Sequence, residues 1–179
     1  MKKFLVGSVA STLLICGAAY VALAHENPPA TENAQVTFTV KQFRSLSSPS
    51  DNGYIDALTA LAPHPAVTLA DEDGLPTLHV KRAVNIEISV DSADGTESYT
   101  PLGVYFEQRT DGPNVKKDPD GKINFAQWRS NNGTVVINNK FIHQGRDGRY
   151  EFFVIVRRAS DGEIGIIDPA ITNDYGDEN

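Results

Sequence analysis

The sequence predicts a mostly β protein, an antiparallel immunoglobulin-like β-sandwich of about seven strands with one short helix in the 45–77 segment. Eight Asx-Gly dipeptides follow residue 50: Asn52-Gly53, Asp73-Gly74, Asp94-Gly95, Asp111-Gly112, Asp120-Gly121, Asn132-Gly133, Asp147-Gly148 and Asp161-Gly162. Asn, Asp and Gly accept the positive φ that tight hairpin turns require. Between these turns lie short runs rich in Val, Ile, Phe and Tyr, many of them alternating apolar and polar residues as a half-buried strand does.

The elements follow in chain order. Lys2 and Lys3 precede an uncharged apolar stretch from Phe4 to Ala24, closed by Ala22-Leu23-Ala24, the small-residue pattern a signal peptidase recognises. Residues 1–24 are therefore expected to direct export, either as a cleaved signal peptide or as an uncleaved membrane anchor. Cys16 is the sole cysteine. Ile15 and the apolar residues after it argue against lipidation there, and cleavage after Ala24 leaves a chain that rests on its core rather than on disulfides. Residues 25–34 are polar and proline-bearing and read as a tether, 35–173 as a single domain and 174–179 as an acidic tail.

The first strand is expected at 35–43, with Val36, Phe38 and Val40 on one face and Thr37, Thr39 and Lys41 on the other. The longest run spans 78–90. Leu78, Val80, Val84, Ile86, Ile88 and Val90 hold one parity there, and only Arg82 interrupts it, marking a rim position or a bulge that divides the run in two. Further strands are expected at 99–109 (Leu102, Val104 and Phe106 inward), 122–129, 134–142, 149–158 and 163–168, with the surest hairpins at Asn132-Gly133 and Asp161-Gly162. In 149–158 apolar residues occupy both parities, Tyr150, Phe152, Val154 and Val156 against Phe153 and Ile155, as in a central strand covered on both faces. Ile55, Leu58, Leu61 and Ala62 fall at helical spacing between Asn52-Gly53 and Pro63, so a helix at 54–62 is the expected cover for Phe153 and Ile155, and a second subunit the alternative.

The composition narrows the function. A net charge of −7, with basic residues in scattered pairs such as Lys81-Arg82 and Arg157-Arg158, opposes binding to nucleic acid and to anionic lipid. Membrane association is expected only if the leader stays attached. No nucleophile elbow, phosphate loop or dinucleotide fingerprint occurs. Asp118 and Asp120, in Asp118-Pro119-Asp120-Gly121, are candidate calcium ligands, although Lys116 stands where an EF-hand loop needs its first ligand and turn chemistry alone accounts for the carboxylates. His79 and His143, with nearby carboxylates, are the candidates for a small metal-dependent protein or hydrolase, and they lack a ligand spacing. Trp128, the only tryptophan, and Tyr105 take the polar parity of their strands. If they share an exposed sheet face they form a binding surface for a protein or a glycan; the competing account is cross-strand aromatic packing. The reading that results is an exported, non-catalytic binding module, with a self-associating homo-oligomeric subunit as the further alternative.

The last strand runs Glu163, Ile164, Gly165, Ile166, Ile167, Asp168, Pro169, Ala170, Ile171, Thr172 and Asn173. This ending, after the apolar strand Tyr150 to Val156, resembles the closing Asp-Pro strand of the DP-EP family of small bacterial β-sandwich proteins and, more distantly, the AidA/PixA inclusion-body proteins. The Glu-Pro element of the DP-EP family is absent from this chain. The resemblance implies an immunoglobulin-like sandwich and carries no activity with it. On physical grounds Pro169 lacks an N–H and should end or displace pairing, while Asp168 is placed to accept backbone N–H bonds and pin the C-terminal tail, a structural role for both.

Overall fold

The computed structural model describes residues 33–48, 52–107, 121–129, 132–142 and 148–175. Eleven strands and no helix form among them: β1 (Asn33–Gln42), β2 (Asp56–Leu61), β3 (Val67–Glu72), β4 (Leu75–Val80), β5 (Val84–Ser92), β6 (Tyr99–Phe106), β7 (Phe125–Arg129), β8 (Val135–Asn139), β9 (Arg149–Arg158), β10 (Ile164–Ile167) and β11 (Ala170–Asn173). They build two sheets. The first has five strands in the order β2-β1-β5-β8-β7; the second has six, in the order β10-β9-β11-β4-β3 with β6 paired to β9.

The mostly β expectation holds, and three of its details need correction. First, 54–62 is not a helix. Its side chains alternate along β2, with Ala57, Thr59 and Leu61 half-buried and Asp56, Leu58 and Ala60 exposed, and the strand pairs with β1 from Val36↔Leu61 to Gln42↔Asp56. A segment this short between a glycine turn and a proline cannot sustain an isolated helix, whereas β1 offers it an open edge. Second, eleven strands replace seven. The 45–77 segment supplies β2, β3 and the start of β4, and the 78–90 run divides at Lys81-Arg82-Ala83. Arg82 marks the crossing: β4 belongs to the second sheet and β5 to the first. Third, the sheets are mixed rather than antiparallel, because β1 pairs β5 and β11 pairs β4 in parallel. Between β1 and β5 the chain passes through β3 and β4 of the other sheet, and that long excursion permits the parallel return.

The inner faces of both sheets share one core. Val36 and Phe38 of β1, Ile86 and Ile88 of β5 and Ile137 of β8 meet Val80 of β4, Phe152, Val154 and Val156 of β9, and Ile171 of β11. All six apolar residues read on one parity of 78–90 are buried. In β6, Val104 and Phe106 are buried while Leu102 is only half-buried, since the register shifts between Pro101 and Gly103. Phe125 of the first sheet closes one end of the core. Its ring stacks on Phe106 at 4.4 Å and meets Tyr150 edge-on at 4.9 Å.

Turn chemistry accounts for the connections. Gly53, Gly74, Gly95, Gly121, Gly133 and Gly162 all have positive φ, and Asp73 shares it, so Asp73-Gly74 forms the two-residue loop that joins β3 to β4. Both hairpins judged surest form, β7 to β8 and β9 to β10. Gly148 works differently, for a Cβ there would collide with the carbonyl of Asn173.

Buried amides tie the sheets together. Asn139 Nδ2 donates to Asn173 Oδ1 at 2.6 Å, Asn124 Nδ2 donates to the Tyr150 hydroxyl at 2.8 Å, and the Tyr175 hydroxyl donates to the Ile142 carbonyl at 2.9 Å. Gln127 adds a bridge between strand edges. Its Oε1 accepts from the Val104 N–H and its Nε2 donates to the Val104 carbonyl, both at 2.8 Å, so one side chain takes the place of a neighbouring strand beside β6.

Two stability outcomes follow from this packing. Phe152 is fully buried against Phe106, and Phe152→Ala should cost about 3–5 kcal/mol, read as a large fall in melting temperature. Gln127→Ala removes two hydrogen bonds from β6 and should cost about 1–3 kcal/mol in urea titration, more than a surface substitution usually does.

Candidate functional site

β9 is the central strand that its two apolar parities predict. β6 pairs along one edge; β10 and β11 share the other. Ile167↔Val154 and Ala170↔Glu151 belong to one uninterrupted register, and the Phe152 N–H donates to the Pro169 carbonyl at 3.1 Å between them. Asp168-Pro169 thus interrupts the last strand without shifting it. What changes there is the partner on its far side. Before the break, the Leu46 N–H donates to the Ile164 carbonyl and the Ile55 N–H to the Ile166 carbonyl; after it, β11 pairs with β4.

That register sets a row of side chains across the outer face of the second sheet. Tyr105 of β6 lies opposite Phe153 of β9, and Asp168 falls on the far side of Phe153. Ile155 and Ile166 form the next row, where Tyr54 is bridged to Ile166. The Tyr54 ring packs edge-on against Phe153 at 6.3 Å, so this extended segment supplies part of the cover expected from a helix. Cover is incomplete: Tyr105 is 58% exposed and Tyr54 40%.

Carboxylates border this aromatic row. Burial, followed by the charges of Glu107 and Glu151, raises the Asp168 carboxyl above the usual range. Among the described residues no backbone N–H donates to Asp168. The tail is held by Asn173 and Tyr175, and by the Asp174 N–H, which donates to the Val80 carbonyl at 2.8 Å.

Trp128 is 46% exposed on β7, in the first sheet, whereas Tyr105 stands on β6 of the second. Both face outward, and they do not share a sheet face. His79 is placed between acids, with Nε2 2.9 Å from Glu72 and Nδ1 3.4 Å from Asp174, while Arg149 reaches Glu72 at 3.0 Å. The two carboxylates approach opposite nitrogens of the ring and so do not converge with it on a common point. Among the described residues no group of three or more His, Cys, Asp or Glu side chains is placed to hold a metal ion. His143, Asp118 and Asp120 lie outside the described residues.

A shallow cleft of about 450 Å³ opens where Phe43, Ser45, Ser47, Arg158, Asp161 and Glu163 meet. Its charged groups are already engaged. Ser45 and Ser47 both donate to Glu163 Oε2, Arg158 is held by Asp161 at 2.6 Å, and the Arg158 guanidinium also covers the Phe43 ring at 4.4 Å. The outer aromatic row is therefore the more open surface. Sequence reasoning singled out Tyr105 within it and missed Tyr54, which helical spacing had placed in a helix.

No family model and no curated protein matches this chain. Among solved structures it is similar to the inclusion body protein PixA from Burkholderia cenocepacia J2315, at 9% identity and a TM-score of 0.50, over 83% of this chain and 98% of that one. That likeness is one of fold. It agrees with the distant PixA-like resemblance of residues 163–173 and does not single out the DP-EP family.

The Asp168 environment has a pH consequence. A carboxyl whose pKa is raised by folding binds its proton more tightly in the native state, so stability is lost as pH rises from the ordinary aspartate value of about 3.9 through the raised one. Asp168→Asn should therefore raise the melting temperature at pH 7, with the gain vanishing near pH 3. A variant less stable at both pH values would show that the carboxylate makes a bond the fold needs.

Proposed function

We propose that this chain is an exported, non-catalytic β-sandwich module that binds a protein or glycan partner through the outer face of its six-stranded sheet. The observation that carries this reading is the Tyr105–Phe153–Asp168 row with Tyr54 beside it: flat aromatic area next to carboxylates. Aromatic rings give a large contact area at low entropic cost, and carboxylates accept hydrogen bonds from sugar hydroxyls or from basic side chains. The leader at 1–24 supports a place in the periplasm or outside the cell. The finer fold assignment, an immunoglobulin-like sandwich of the DP-EP kind, belongs to the same proposal and rests on the Asp168-Pro169 ending. A second reading, a self-associating structural subunit, is favoured by the likeness to an inclusion body protein.

Site-specific photo-crosslinking in producing cells tests both. A benzophenone amino acid replacing Tyr105 should yield a larger covalent species, and the same group replacing Trp128 should not. Tyr105→Ala should weaken capture of that partner by about 2 kcal/mol or more, the usual scale of a hot-spot truncation. Capture of a second copy at position 105 would favour the structural-subunit reading; no species at either position would remove the outer face as a binding surface.

A further inference from the structure

We infer that β2 is an edge at which two copies of this chain pair, antiparallel, about a two-fold axis through Thr59. The inference stands apart from the outer-face reading, because it uses the other sheet and the backbone rather than the aromatic row. The Ala62 N–H donates to the Gln35 carbonyl at 3.0 Å, which extends the β1–β2 register by one pair. Backbone groups alternate in direction along an antiparallel strand, so Leu58 and Ala60 also turn theirs toward β1, and Ala57, Thr59 and Leu61 turn theirs away. None of those three has a backbone partner on the outer side of β2 among the described residues. β2 ends the five-stranded sheet.

Natural edge strands are usually blunted by charge, proline or a bulge. Ala57 to Leu61 has none of these: the sequence is Ala-Leu-Thr-Ala-Leu, and the register shift in the β1–β2 ladder lies beyond it, between Val40 and Gln42 of β1.

The strand is complementary to itself. Only a register that sets odd-numbered residues against odd-numbered ones can join the free backbone groups, and the one that overlaps the whole of 57–61 places Thr59 against Thr59 and Ala57 against Leu61 of the other copy. Each such pair exchanges two hydrogen bonds, about six in total. Leu58, 55% exposed in one chain, then lies against Ala60 of the other, so large meets small on both faces. Charge does not oppose this occupant at the edge itself. The chain carries −7 overall, and 57–61 is a stretch on which a second copy meets no like charge. A two-fold pairing of one edge with itself closes on two chains and does not propagate into a fibre.

Light scattering on the full chain carrying Cys16→Ser, in a mild non-ionic detergent, tests this. A mass of two chains is expected. Thr59→Pro should reduce it to one, since the Thr59 N–H is not used by β1 and the first sheet keeps its internal bonds. Leu58→Cys with Ala60→Cys provides a second reading of the same register. Directly opposed residues of a non-hydrogen-bonded pair sit about 4.5 Å apart at Cα, within reach of a disulfide, so mild oxidation should give a covalent dimer on a non-reducing gel. Should Thr59→Pro fail to fold, the crosslink decides alone. A single-chain mass for the Cys16→Ser protein overturns the proposal. So does a dimer that survives Thr59→Pro, one that does not crosslink, or one abolished by Tyr105→Ser instead.

Discussion

The pairing of β9 on both edges is the constraint from which the rest of this structure follows. Tyr150, Phe152, Val154 and Val156 must face the core, and ten residues of backbone must find partners on either side. β6 satisfies one edge. The other requires a strand longer than β10 alone, and the chain meets that need by running β10 and β11 in one register across Asp168-Pro169. Because the register does not shift, Phe153 is fixed between Tyr105 and Asp168. The outer row is thus a by-product of how the core strand is paired.

A second constraint keeps either sheet from forming alone. The run from Leu75 to Ser92 contributes β4 to one sheet and β5 to the other, and residues 53–61 pair first with β10 and then with β1. Both crossings are covalent. Gly165 makes one of them possible, since a Cβ there would collide with the Arg44 carbonyl and with the Ile55 side chain. Buried amides then complete the join. Asn124, Asn139 and Asn173 would each be costly to bury unpaired, and they are bonded across the gap between sheets.

Much of the fold is legible in the sequence because burial follows period two in β1, β9 and most of β5, and because Asx-Gly steps mark real turns. The helix at 54–62 fails for a definite reason. Ile55 is buried beside the second sheet and Leu61 packs against the core from the first, so residues that look like one helical stripe serve two layers along an extended chain. Asp73-Gly74 already carried the signal of a two-residue hairpin, and its significance depends on recognising β3, where Thr68 and Ala70 leave a weak apolar pattern. Outward orientation of Tyr105 and Trp128 is legible from parity. Which sheet holds each is not, since strand order is a long-range property. Gln127 shows the same limit: nothing local distinguishes a glutamine facing solvent from one that stands in for a strand.

If both proposed surfaces bind, charge separates them by the kind of partner each would accept. The outer row is bordered by Asp168, Glu107 and Glu151, and a two-fold copy docking there would bring acid toward acid while desolvating a carboxyl that burial already disfavours. A basic or hydroxyl-rich partner meets the opposite balance. At β2 the order reverses, because the uncharged 57–61 stretch offers a foreign surface little specificity beyond its main chain, whereas its own alternation of Ala and Leu fits a second copy. Pairing at β2 would extend the five-stranded sheet sideways and leave the outer face of the other sheet uncovered, so two chains joined at this edge would present two aromatic rows at once. If those rows bind a repeating glycan or a clustered protein partner, their linkage raises apparent affinity through effective concentration, without any change in the contacts of either row.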